Sequence, residues 1–453
     1  MKIGITGIAN GGKTVFLTSL LWQLAELDSG SFSLGYDIKL HKFREQKINN
    51  KVETFPFDFY RDSLVRGGTW PKKTTDCYKY ICEFNRSDWN IINLNRLKRL
   101  SKLQFSDRQR LEFFDFPGER IADAAIAAYS DYEDWSKHVL SHFRSHSDYR
   151  EAFEPFSKFL ESLDASCGDD LLDKVVYQYK LVLASLIHGY KPFISPSTFL
   201  LDQSGSVATP ASDEALATSR LVGLSEKEQF VPLTQSVCDM FPKLKEKMQS
   251  RYKRYRRKIA LPLFDEIGSS DRLVVLVDIP SLLSGGVGRY NDNRQVLLDL
   301  FETLSPESNM SAIFQKLFGF WMGGLKKVAF VATKSDQVSA ADICDGKLRS
   351  LLKQMTIRAK RILPDVEFQW FECSAIVSTR AGSTSDALIG CPIVNNSEGR
   401  ELEFTVSNLP NEWPEDWKAG EYRFPNVMPV VSKNLQIPPE HYGMDRLFKF
   451  LIN

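Results

Sequence analysis

Residues 7–14 read Gly7-Ile8-Ala9-Asn10-Gly11-Gly12-Lys13-Thr14, "GIANGGKT", directly after the alternating stretch "MKIGIT". The spacing satisfies G-x-x-x-x-G-K-[ST]. Glycines at these positions allow a tight, partly left-handed backbone that turns successive N–H groups toward phosphate oxygens. Lys13 then reaches the β- and γ-phosphates, and the Thr14 hydroxyl suits Mg²⁺. "TVFLTSLLWQLAEL" follows as a helix whose positive end faces the anion. Asn10, Gly11, Gly12, Lys13, Thr14 and Val15 are therefore the expected phosphate cradle. The competing reading, a chance glycine turn, does not account for a strand before the loop and a helix after it. The helix is apolar on nearly every side (Val15, Phe16, Leu17, Leu20, Leu21, Trp22, Leu24, Leu27). It should lie on a sheet and be covered by a second layer of helices.

Two later segments bear on the base. "KKVAFVATKSDQV" is an apolar strand ending in Thr333-Lys334-Ser335-Asp336, which fits [NT]-K-x-D. Asp336 can accept from guanine N1–H and the 2-amino group. Adenine offers no such donor pair and would leave the carboxylate unsatisfied. The Lys334 stem can lie over the base. "QWFECSAIV" is the next apolar strand and ends in Ser374-Ala375, where a backbone N–H can meet guanine O6. Ligands of open α/β sheets bind at the carboxyl ends of strands, and all three pieces sit there in chain order. The expected ligands are GTP and GDP.

Asp115 ends "RLEFFDF" and opens Asp115-Phe116-Pro117-Gly118, a D-x-x-G. Its carboxylate would hold Mg²⁺ through water, and the Gly118 N–H would sense the γ-phosphate. Asp278, at the end of "LVVLVDIP", is a rival with a structural role as its alternative. Asp115 is preferred because of the paired glycine. Glu119 follows, a carboxylate beside a phosphate group, consistent with slow intrinsic hydrolysis or with action as a base. Arg120 is either an internal charge stabiliser or a solvated arginine. The loop "GGTWPKKTTD" offers Thr74 and Thr75 to complete the Mg²⁺ shell.

The totals agree with a soluble nucleotide-binding protein. The 453 residues exceed one ordinary core and suggest an enlarged domain or two domains. A net charge of +1 gives no global field for nucleic acid, and no such partner is expected. Seven cysteines are scattered without a Cys-x-x-Cys pair, which fits a reducing compartment better than a disulfide framework or zinc ribbon. No signal-peptide pattern and no apolar run of about 18–20 residues is apparent. The expectation is a cytoplasmic protein, or one peripheral to the inner membrane through a partner.

"GITGIANGGKTVFLTSLLWQL", "GGTWPKKTTD", "DFPGER", "LVVLVDIPSLLSGG" and "ATKSD" together resemble the YcjX-like family of bacterial P-loop GTPases. The resemblance implies an α/β fold, a Ras-like P-loop core with a mostly parallel sheet and a large all-helical insertion; residues from about 380 to 433, rich in Gly, Pro, Asn and Ser, read as a small β-rich insertion near the C-terminus. The resemblance also implies an association with envelope stress and a membrane-embedded partner. By motif position Thr74 matches the switch threonine. The residues expected to carry hydrolysis are then Lys13, Glu119 and Thr74, and those expected at the metal are Thr14, Thr74 and Asp115.

Between Gly118 and Leu273 the periodicity is helical, in "IADAAIAAYSDYEDWSKHVLSHF", "YREAFEPFSKFLESL", "LLDKVVYQYKLVLASLIHGY" and "PKLKEKMQSRYKRYRRKIALPLF". "SGSVATPASDEALATS" reads as a loop. The expected division is a GTPase core over 1–119, 270–379 and 434–453, a helical insertion over 120–269 and a β/loop cap over 380–433. "ELEFTV" is the cap's strand and "GMDRLFKFLI" a closing helix. The basic run 243–258 reads as a solvated helix face, with lipid or RNA contact as its alternative. His138, His142 and His146 share one helix face, read as ordinary packing rather than metal ligation. The rival functions are a P-loop ATPase or kinase, and a scaffold that holds nucleotide without hydrolysing it.

Overall fold

Strand β1 (Lys2–Gly7) places Ile3 and Ile5 on one face, both fully buried. A computed structural model describes residues 1–7, 11–27, 32–34, 38–46, 53–71, 77–88, 108–145, 147–164, 170–188, 196, 228–304, 324–393 and 400–453. Asn10, Thr74, Thr75, His146 and the polar stretch 204–219 lie outside the described residues. The remaining strands of the central sheet are β2 (Ile38–Glu45), β3 (Glu53–Thr54), β4 (Tyr78–Asp88), β5 (Arg108–Asp115), β6 (Arg272–Val277), β7 (Lys327–Ala332) and β8 (Glu367–Glu372). Their order is β2-β4-β5-β1-β6-β7-β8, with β3 beside β4. β5, β1, β6, β7 and β8 run parallel, whereas β4 is antiparallel to β5 and β2 to β4. The mostly parallel α/β core expected from the sequence is what forms.

The middle strands read as unbroken apolar runs because both of their faces are covered. Along β6, Leu273, Val275 and Val277 join one buried cluster while Val274 and Leu276 join the other. The first cluster is continuous with the helices between Gly118 and Gly268 and with the helices Gly286–Thr303 and Lys347–Ile362. The second holds α1 (Lys13–Ala25), α2 (Phe57–Gly67) and the C-terminal helix Met444–Ile452. The cover expected over α1 is part helix and part extended chain. α2 packs on it, while Trp22 Nε1 donates to the Leu435 carbonyl (2.8 Å) and Gln23 Nε2 to that of Pro439 (2.6 Å).

Two helical stretches are more broken than their periodicity suggests. "IADAAIAAYSDYEDWSKHVLSHF" divides into a 3-10 turn (Gly118–Asp123) and helices Ala124–Ala128 and Tyr132–Ser145. Tyr129 is extended, and Asp131 accepts from the Glu133 N–H at 2.7 Å, a local bond that restarts the chain. Helix Pro242–Tyr255 passes through a π-turn (Arg256–Ala260) into Leu261–Gly268. Pro262 has no N–H to give the preceding turn, so the winding loosens there.

The basic run faces water in part. Leu244, Met248, Tyr252 and Tyr255 are buried, Lys245 pairs with Glu133, and Arg256 donates to the carbonyls of Ile126 (3.1 Å) and Ala127 (2.9 Å). Residues 380–433 contain an antiparallel sheet of β9 (Arg380–Ala381), β10 (Ala387–Gly390) and β11 (Leu402–Thr405), the last within "ELEFTV".

Candidate nucleotide site

β1 ends at Gly7, whose neighbour across the sheet is Leu276 of β6. A Cβ at Gly7 would stand 2.4 Å from the Leu276 carbonyl oxygen, so only glycine lets the loop leave the sheet here. Gly12 precedes α1 in the left-handed region (φ 78°, ψ 24°), which glycine adopts without strain. No side chain caps α1 and no acidic residue stands in its first turn. The first N–H groups of a helix have no intrahelical partner, so this end is available to an anion.

A cavity of about 650 Å³ opens at this end of the sheet. It is lined by Gly11, Gly12, Lys13, Thr14 and Val15 from the loop, and by Thr333, Lys334, Asp336, Ser374 and Ala375 from the ends of β7 and β8. These ten expected site residues therefore share one space. Asp115 and Gly118 are buried but do not line it. Asp115 ends β5 opposite Ile5 and follows the same sheet edge. Glu119 and Arg120 lie in the 3-10 turn that starts at Gly118.

The segment after β8 is held from both sides. Ser374 and Tyr442 exchange two backbone hydrogen bonds of 2.9 Å, and Val377 N–H donates to the Glu440 carbonyl (2.8 Å). Ser19 of α1 donates through Oγ to the Ala375 carbonyl (2.6 Å), tying α1 to this segment. Ser374 Oγ donates to Asp336 Oδ1 (2.5 Å) and the Ser378 N–H to Oδ2 (2.9 Å). A carboxylate oxygen has two lone pairs, so each retains one acceptor site. Burial pushes the Asp336 pKa up; the Ser374 and Ser378 bonds and the Lys334 charge only partly offset this.

Asp278 is engaged elsewhere. It caps helix Ile279–Ser284 through the Ser281 N–H (3.0 Å), accepts from Ser281 Oγ (2.6 Å) and pairs with Lys334 Nζ (2.7 Å). These contacts join the start of that helix to the lysine of T-K-S-D. Lys334 itself is in the left-handed region (φ 57°). His138 and His142 face carboxylates of helix Gly286–Thr303, Asp299 at 3.4 Å and Asp292 at 3.5 Å. Among the described residues no cluster of three or more His, Cys, Asp or Glu could hold a metal ion.

Sequence reasoning did not anticipate the rest of the wall. Trp70 and Pro71 come from the loop after α2, Pro280, Ser281, Ser284 and Arg289 from the chain after β6, and Phe424, Pro425 and Asn426 from the chain after β11. Trp70 Nε1 donates to the Val427 carbonyl (2.7 Å), joining two of these walls. The signal for this wall in "GGTWPKKTTD" is the Trp-Pro beside glycines.

The donor chemistry suits a hard divalent cation. The Thr14 hydroxyl at the head of α1 and the Asp115 carboxylate at the end of β5 are oxygen ligands of the kind Mg²⁺ takes alongside phosphate.

The family model described as "YcjX-like family, DUF463" matches residues 1–453. A protein of Shewanella oneidensis named "Ras-like GTPase YcjX" is 22% identical over 491 aligned positions, covering 100% of this chain and 94% of that protein. Its namesake in Escherichia coli is 23% identical over 485 positions, covering 100% and 95%.

Proposed function

Since the chain belongs to the YcjX-like family, we propose that it binds GTP and GDP, hydrolyses GTP to GDP and phosphate, and works as a nucleotide-dependent switch. The observation that carries this is the cavity that joins the uncapped head of α1 to an Asp336 already oriented by Ser374 and Ser378. The names of the two relatives point the same way.

In this reading Gly11, Gly12 and the first N–H groups of α1 receive the phosphates, and Lys13 neutralises their charge. Asp336 accepts from guanine N1–H and the 2-amino group on the lone pairs that Ser374 and Ser378 leave free. The stem of Lys334, held by Asp278, lies against the base. Thr14, Asp115 and Thr74 would hold Mg²⁺, which would supply charge neutralisation at the phosphate oxygens. Gly118 registers the γ-phosphate. Glu119 in place of a neutral water-orienting side chain keeps unassisted hydrolysis slow. The helices within 120–269 form an insertion that meets the sheet at Asp115–Gly118, and 380–433 form a cap over the cavity. Action in envelope stress through a membrane-embedded partner belongs to the same proposal and rests on the family resemblance. Among the described residues no helix is long and apolar enough to cross a membrane.

Titration with GTP, GDP and ATP in Mg²⁺, followed by phosphate release under single-turnover conditions, tests the proposal. Tight guanine-selective binding with slow release of phosphate is expected. Equal competition by ATP would support the ATPase or kinase reading, and GTP that persists intact would support a scaffold.

A further inference from the structure

We infer that Arg289 is a contact for the phosphate chain of the nucleotide, supplied from outside every recognised motif. The inference rests on reading the cavity as a guanine-nucleotide site. β6 is hydrogen-bonded between β1 and β7, with Leu276 opposite Gly7 and Val277 opposite Ala332. The chain that follows β6 therefore emerges between the phosphate loop and the T-K-S-D segment. Arg289 lies on that chain, in the first turn of helix Gly286–Thr303, and lines the cavity.

Its backbone is fixed from several sides. Trp417 Nε1 donates to the Leu283 carbonyl (2.8 Å) and the Gly420 N–H to that of Ser284 (2.8 Å), while the Val287 N–H donates to Trp417 O (3.1 Å). Tyr290 stacks on Trp413 with centroids 4.3 Å apart. The cap thus clamps residues 283–290, and the Asn293 amide donates to the Arg289 carbonyl (2.6 Å). The side chain passes over Gly285. A Cβ there would stand 2.2 Å from Arg289 Cδ, so the stem runs along a path that glycine keeps open.

The charges of the cavity point to the ligand. Its charged wall residues are Lys13, Arg289, Lys334 and Asp336. Lys334 is paired with Asp278, and Asp336 is held by Ser374 and Ser378. Lys13 and Arg289 make no ion pair or side-chain hydrogen bond with any described residue. Two cations in one partly enclosed space repel unless an anion lies between them. A polyphosphate meets both, and a planar guanidinium suits its oxygens.

The test is displacement of a fluorescent GDP analogue by GDP, GTP and ADP, in wild type and in Arg289→Gln, Arg289→Lys and Gly285→Ala, with thermal melts alongside. Arg289→Gln keeps the packing stem but not the charge and should weaken GDP and GTP by roughly 10- to 100-fold. Arg289→Lys should bind more tightly than Arg289→Gln. Gly285→Ala displaces the stem without touching the charge and should also weaken both nucleotides. Wild-type affinity in Arg289→Gln overturns the inference, as does Arg289→Lys binding no better than Arg289→Gln. A wild-type protein that does not prefer GDP to ADP strikes the proposed function instead, whatever the Arg289 variants do.

Discussion

Asp336→Asn is the perturbation that most directly tests how the site reads a base. In the free protein the carboxylate accepts from Ser374 Oγ at 2.5 Å and from the Ser378 N–H at 2.9 Å. An asparagine can satisfy both neighbours. Its amide oxygen faces the Ser378 N–H, and its NH₂ faces the Ser374 oxygen, whose hydroxyl then turns toward the Ile376 carbonyl 3.1 Å away. The fold is therefore not the casualty. Burial raises the Asp336 pKa, so the fold favours the protonated carboxyl: the stability this gives is full below the unfolded value of 3.8 and is lost as pH rises through the folded value and the group ionises. At neutral pH the asparagine protein should melt no lower than wild type. Guanine is affected differently. Two hydrogen bonds to a charged acceptor, at about 1.5–3 kcal/mol each, are lost, and the amide now points a donor at the 2-amino group. The sum, about 3–6 kcal/mol, is a loss of roughly 10²- to 10⁴-fold in GDP affinity. Xanthine carries a carbonyl where guanine carries the 2-amino group, so xanthosine diphosphate should gain on GDP in the variant. Calorimetric titration of GDP and xanthosine diphosphate against both proteins reads both changes. A GDP affinity within about tenfold of wild type, with no gain for xanthosine diphosphate, would refute base reading by Asp336.

Three further outcomes follow from the same geometry. Wild-type GDP affinity should fall as pH drops through the raised Asp336 pKa, above 3.8, because the reader must be ionised; Asp336→Asn should show no such step in parallel titrations. Trp70→Phe removes the hydrogen bond to the Val427 carbonyl while keeping an aromatic ring, and should speed GDP release by about 2- to 10-fold in a fluorescent-nucleotide chase. Asp278→Ala loses a helix cap and the Lys334 pair and should lower stability by about 1–2 kcal/mol in denaturant melts. Asp278→Asn, which keeps the cap, should lose less; Asp115→Asn, but neither Asp278 variant, should abolish the Mg²⁺ dependence of nucleotide binding.

The parts of the fold legible in the sequence are those whose side chains obey a period. β6 and β7 are continuous apolar runs because each is covered on both faces, and their carboxyl ends carry the chemistry-bearing residues that the order of strands then gathers. The outer strand β2 is not legible from a period, for a physical reason. Its pairing with β4 shifts between His41 and Arg44, and Lys42 sits at φ 58°, so the two-residue alternation breaks where it would have been read. The two broken helices differ from their periodic signal at a local carboxylate bond and at a proline, both of which act on the backbone and leave the apolar spacing intact.

The walls of the candidate site divide along the same line. The loop, Asp336 and Ser374-Ala375 were legible because backbone geometry and base recognition demand particular residue types at fixed spacing. Trp70, Arg289 and Phe424–Asn426 were not, because their place depends on contacts between segments far apart in the chain. Trp417 illustrates how such a wall is built. Its indole N–H takes the Leu283 carbonyl and its own carbonyl takes the Val287 N–H, so one residue of the cap fixes both ends of the turn that carries Ser284 and leads to Arg289. Seven residues further on, Phe424 enters the cavity wall, and Val427 then holds Trp70. The stretch 417–427 thus ties the chain after β6 to the loop before the expected switch threonine. In the switch proposed above, a change in either segment on loss of the γ-phosphate would meet the other through residues 417–427, and this stretch, as well as the helices, would then be a route by which nucleotide state reaches a partner.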